Sequence, residues 1–121
     1  MISYTIDGEL TDQNTYFSAE RTNRFNGAKV KKNNTWICNL AAQHLNPIGK
    51  APFNLVIDWY VKNRRKDPDN IAFAVKFILD GLQEAGVIDN DGFNQVLSIT
   101  HRAFYVDKDN PRTVVHLELV E

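Results

Sequence analysis

With a single cysteine, Cys38, the chain has no means of stapling itself with an internal disulfide, and that suits a reducing, cytoplasmic setting. No apolar run approaches the roughly 18–20 residues that a membrane-spanning helix needs, so no membrane partner is expected. The opening MISYTIDGEL has neither the basic region nor the apolar stretch of a secretory signal. Repeats, low-complexity tracts and linker-like segments are missing too. At 121 residues the chain has the size of one domain, and residues 1–121 read as a single unit. His44, His101 and His116 lack zinc-site spacing, and one thiol does not make up the difference. There is no phosphate-binding P-loop and no G-x-S-x-G nucleophile elbow. The DNDG run at 89–92 resembles part of a calcium loop. With Gly92 in the glycine position, however, the first and twelfth ligand positions fall on Val87 and Ser98, and neither is a carboxylate.

What remains is an ordinary soluble composition, 43% hydrophobic and 24% charged, with a net charge of −1 that by itself argues against a nucleic-acid partner. The distribution of that charge says something different. Residues 1–66 carry ten Lys and Arg against five Asp and Glu, whereas residues 67–121 carry four against ten. A basic half joined to an acidic half fits a protein that grips a polyanion with one surface and metal ions with another. It fits ordinary solvated faces as well.

Ile2, Tyr4 and Ile6 alternate and predict a short strand closed by Asp7-Gly8. Residues 9–27 are polar and read as an ordered loop running into a helix start. Val30, Trp36, Ile37, Leu40, Ala41 and His44 recur at helical spacing and predict a helix over about 28–45. Phe53 to Val61 is β-branched and aromatic, as strands are. A helix is expected from Pro68 to Ala85, stopped by Gly86. Gln95–Val106 and Arg112–Val120 read as strands joined in a hairpin. The order β-α-β-α-β-β predicts an α/β (α+β) domain, a mixed sheet with helices packed on it. Trp36 and Trp59 are read as core residues rather than base-stacking platforms.

The stretch that bears chemistry starts at Lys62. Asp67-Pro68-Asp69-Asn70 has a purely structural account: Asp67 caps the helix, Pro68 takes its first position, and Asp69 sits at the positive end of the helix dipole. Helix geometry adds more. At about 100° per residue, Lys76 and Asp80 fall within about 20° of Asp69, while Ile71, Val75, Ile78, Leu79 and Leu82 gather opposite. One face is core and the other aligns Asp69, Lys76 and Asp80, with Asp89 and Asp91 following in a loop that could fold back. Magnesium takes hard oxygen ligands, one or two carboxylates plus substrate phosphate and water. Aspartates flanked by the cationic KNRRK segment are therefore what metal-assisted phosphodiester hydrolysis requires.

The run KDPDNIAFAVKFILDGLQEAGVIDNDGF resembles the signature of the RusA-like endodeoxyribonucleases, Holliday-junction resolvases common in prophages. The likeness is strongest over about residues 62–93. It implies metal-binding and catalytic roles for Asp67, Asp69 and Asp91, with Asn70 completing the motif. The family's lysine falls on Lys76, one helical turn later than the pattern places it, where this chain has Phe73. Asp80 matches the aspartate of the Asp-Ala/Gly-Leu segment, and Asp89 has no counterpart. The resemblance further implies a homodimer, Mg2+ as cofactor, branched DNA as substrate in recombination and repair, and a DNA-holding surface of Arg64, Arg65, Lys66, Lys29, Lys31, Lys32 and Asn70. Two other classes compete with an enzyme: a module that binds branched DNA without cutting it, and a structural domain whose aspartates only cap a helix.

Overall fold

The computed structural model describes residues 1–120. Its elements run β1 (Ile2–Asp7), α1 (Gln13–Thr22), α2 (Arg24–Ala42), β2 (Phe53–Val61), α3 (Pro68–Ala72), α4 (Val75–Glu84), β3 (Val96–Val106) and β4 (Arg112–Leu119). The strands form one mixed sheet in the order β1-β4-β2-β3. β4 runs antiparallel to both β1 and β2, and β3 runs parallel to β2. The expected α+β domain with a mixed sheet is the fold observed.

Two-residue alternation decides which side of the sheet is core. Tyr4 and Ile6 of β1, Phe53, Leu55, Ile57 and Trp59 of β2, and Val115 and Leu117 of β4 are all buried. Cys38 and Ala42 of α2 and Phe77, Ile78 and Leu82 of α4 join them in one apolar cluster. On the other face a polar row ties all four strands together. Ser3 Oγ lies 2.6 Å from His116 Nδ1, His116 Nε2 lies 3.3 Å from Asp58 Oδ2, and Arg102 Nε donates to Asp58 Oδ1 at 3.0 Å.

Three expectations are corrected. Most of the segment 9–27 is helix rather than loop: only residues 9–12 lead in before Asp12 caps α1 by accepting from the Thr15 N–H at 2.9 Å. Asn23, in extended backbone, ends α1 and caps α2 by accepting from the Phe25 N–H at 2.7 Å, so one residue pivots the chain between two helices. The last two strands do not pair as a hairpin. β4 lies on the far side of β2 from β3, and the connection 107–111 passes over the end of β2, where the Asp107 N–H donates to the Val61 carbonyl at 2.8 Å. No residue of that connection is glycine or has positive φ, so it lacks the backbone of a tight two-residue hairpin.

The third correction concerns the helix at 68–85, which is divided at Phe73-Ala74. Tightened i→i+3 bonds, Ala74 N–H to the Ile71 carbonyl and Phe77 N–H to the Ala74 carbonyl, interrupt the regular ladder. Phe73 is drawn against α1, its ring 5.5 Å from Tyr16, 5.8 Å from Phe17 and 5.9 Å from Phe77 between centroids. Asp69 and Lys76 therefore belong to different helices, and the polar stripe continues only from Lys76 to Asp80 on α4.

Candidate active site

Each acid-bearing segment is held from beneath by a buried amide side chain. Asn70, 8% exposed, accepts from the Asn14 N–H at 2.9 Å and donates to Asp12 Oδ2 at 3.0 Å. That clamp fixes α3 on the start of α1. Burial pushes the Asp12 carboxyl up, but hydrogen bonds from Thr15 and Asn70 and the charge of Lys66 outweigh it and hold it below the usual carboxylate range. Lys66 Nζ lies 3.7 Å from Asp12 Oδ2 and 3.9 Å from Glu9 Oε1. The family resemblance implies a DNA-holding role for Asn70 and Lys66. The fold turns Asn70 inward and shares Lys66 with two acids.

Gln95 does the same for the loop that carries Asp91. Only 3% exposed, it accepts from the Asn90 N–H at 2.9 Å and donates to the carbonyls of Gly49 at 2.6 Å and Ala51 at 3.2 Å. The Asp89 N–H adds a bond to the Gly49 carbonyl at 3.0 Å. Asp12 and Gln95 both escaped the sequence reading. The S/T/D-type cap at Asp12, followed by Thr15, was the available signal for the first; a lone glutamine in a polar loop carries none.

Held this way, the candidate ligands face solvent. Asp67 occupies the N-cap of α3, yet its side chain makes no capping hydrogen bond, so capping does not account for its carboxylate. Asp69 lies exposed in the first turn, and Asp91 is exposed in its loop. Arg64 and Arg65 beside them are exposed, and among the described residues neither is ion-paired.

A second charged group forms around α4. Burial raises the Asp80 carboxyl, Lys31 and Lys76 counter it, and Asp91 and Glu84 reinforce it, so these five side chains share one electrostatic neighbourhood. The ammonium of Lys76 sits 6.0 Å from the Tyr16 ring centroid. Lys29, Lys31 and Lys32 project from α2 into solvent. Lys76 and Asp91 thus both act on the Asp80 carboxyl, while Asp67 and Asp69 stand at the head of α3. Among the described residues no three His, Cys, Asp or Glu side chains stand close enough to cage a metal ion by themselves. Exposed carboxylates are nonetheless hard oxygen donors, the kind taken by a cation held by one or two carboxylates and completed by phosphate.

No helix among the described residues is long and apolar enough to cross a membrane. None of the curated proteins matches the chain. The family model described as endodeoxyribonuclease RusA matches residues 7–118, nearly the whole chain and every residue of the clamps and carboxylates just described. On that match, the chain belongs to the RusA family of endodeoxyribonucleases.

Proposed function

We propose that the protein is a magnesium-dependent, structure-specific endonuclease that resolves four-way junctions by paired nicks during DNA recombination and repair. The observation that carries this reading is the uncapped carboxylate of Asp67 beside exposed Asp69 at the head of α3, flanked by Arg64 and Arg65, which are unpaired among the described residues, within a chain of the RusA family. Asp67, Asp69 and Asp91 would hold the ion. Bound magnesium supplies activation of water and neutralisation of charge on the scissile phosphate.

The protein's own groups do the rest. Asn70 and Gln95 set the positions of the two carboxylate-bearing segments. Lys76, kept near Asp80, offers a positive charge to the leaving oxygen. Arg64 and Arg65, with the Lys29, Lys31 and Lys32 group, hold flanking backbone phosphates. A homodimer would give two such sites related by a two-fold axis, matching the symmetry of a four-way junction and the need to cut opposite strands.

The test is a labelled four-way junction and a matched linear duplex, each with magnesium and with EDTA. Magnesium-dependent paired nicks on the junction, abolished in Asp69→Asn and Asp91→Asn, are expected. Wild-type cleavage rates in both variants would overturn the reading, and tight junction binding without cleavage would make the protein a binding module.

A further inference from the structure

α2 and α4 touch at Gly81, where an added Cβ would lie 2.4 Å from Cys38 Cβ, and beside that contact the two helices border an open groove of about 840 Å³. Its walls are Lys31, Lys32, Thr35 and Trp36 of α2 and Asp80, Gln83 and Glu84 of α4. Three features of it are left exposed or, among the described residues, without a partner. Trp36 is 53% exposed, whereas the chain's other tryptophan, Trp59, is buried and donates to His101 Nδ1 at 3.0 Å. Thr35 is 5% exposed and its hydroxyl finds no hydrogen-bond partner among the described residues. Lys31 and Lys32 make no salt bridge among the described residues.

We infer that this groove takes an unpaired nucleotide of the DNA substrate, its base stacked on Trp36 and its phosphate held by Lys31 and Lys32. A basic wall beside an exposed aromatic face is one way proteins grip single-stranded nucleic acid, because every base offers a flat π-surface and every nucleotide a phosphate; here the α2 side alone supplies it. The opposite wall fits the rest of the ligand. Asp80, Gln83 and Glu84 would repel a phosphate, but they present acceptors, and Gln83 a donor as well, to the hydrogen-bonding edge of a base. The charges therefore orient the nucleotide, backbone towards α2 and base edge towards α4. Base pairs at a branch point lack continuous stacking on one side and open at lower cost than those inside a linear duplex, so the site would favour branched over linear substrates. This inference rests on the DNA-cutting role proposed above, and it adds a recognition site on α2 beyond the carboxylates.

The test uses the full-length protein in EDTA, so that binding is read without cleavage. A fluorescein-labelled oligothymidylate and a labelled four-way junction are titrated by anisotropy, and tryptophan emission is followed with unlabelled oligothymidylate. Trp36→Ala is expected to weaken oligothymidylate binding by about 5- to 150-fold, the range for losing one base–aromatic stack. Trp36→Leu, apolar but without a π-face, should lose as much, and Trp36→Phe should stay within about threefold of wild type. Saturating oligothymidylate should quench wild-type emission and leave the Trp59 emission of Trp36→Phe unchanged. Unaltered affinity in Trp36→Ala, or no quenching at saturation, would overturn the inference. So would wild-type affinity in Trp36→Leu, or a change of sedimenting mass in Trp36→Ala, which would assign the residue to an apolar or subunit contact. The two proposals separate cleanly: cleavage lost in Asp69→Asn with binding unchanged in Trp36→Ala sinks only this one, and stacking without any cleavage sinks only the other.

Discussion

Replacing Asn70 by alanine removes both hydrogen bonds of the clamp between α3 and α1. The bond to Asp12 has a charged acceptor and is worth about 1.5–3 kcal/mol, and the bond from the Asn14 N–H about 0.5–1.5 kcal/mol. Asp12 and Asn70 are both buried, so water replaces these partners poorly, and a loss of about 2–4 kcal/mol is expected. For a domain of this size each kcal/mol lowers the melting temperature by about 3–4 °C, giving a fall of about 6–16 °C in a thermal melt followed by circular dichroism. Asn70→Asp sharpens the test, because it sets a second carboxyl where the amide now meets Asp12 at 3.0 Å. Two carboxylates so close cannot both ionise without cost, so a folded-state pKa rises above its unfolded value. Stability tied to that proton is present at low pH and lost as pH rises, so Asn70→Asp should lag behind Asn70→Ala more at pH 7.5 than at pH 4.5. If Asn70→Ala melted within about 2 °C of wild type but bound DNA less tightly, the clamp would be refuted and the amide would belong to the DNA surface.

Other outcomes follow from the same geometry. Gln95→Ala should free the loop bearing Asp91, lowering cleavage of a four-way junction by well over about tenfold at temperatures where circular dichroism shows the variant folded; unchanged cleavage would remove Gln95 from any positioning role. Gly81→Ala gains about 1 kcal/mol of helix propensity but drives its Cβ to 2.8 Å from the Cys38 carbonyl carbon and 2.9 Å from the Asn39 nitrogen, so a net loss of about 1–2 kcal/mol is expected in urea titrations, and Cys38→Ala should not restore it. Acidification should weaken the fold in two stages. Burial lowers the His101 pKa, so its contribution is present above its unfolded value and lost as pH falls through the folded one. At lower pH the same sign holds for Asp58, kept below the ordinary range by its bonds from Arg102, and for Asp12. A urea midpoint that rose between pH 7.5 and pH 5 would contradict the first stage.

Much of the candidate site was legible because its parts are adjacent in the chain. Asp67, Asp69 and Asn70 open one helix, Lys76 and Asp80 lie one turn apart, and Asp91 follows within a short loop, so local spacing carried the pattern. β2 was legible because FNLVIDWYV is β-branched and aromatic throughout. α1 was missed because its first turn is polar and its only buried residue is Tyr16, which leaves almost no periodic signal. The break at Phe73 was missed because nothing in 68–85 disfavours a continuous helix locally. The ring of Phe73 is drawn aside by Tyr16 and Phe17, more than fifty residues earlier.

The sequence alone determined what is written in neighbouring residues: the strands, the longest helix, the acid-bearing segment and the likeness that the family match bears out. Only the tertiary structure decided which groups face which. Strand order is a matter of long-range pairing, so β4 could enter between β1 and β2 without any change in its own pattern. An apolar or amide side chain has the same local preferences whether a neighbour covers it or not. Packing therefore turned Asn70 inward onto Asp12 and left Trp36 in the open, because burial is a property of what two distant segments do to each other.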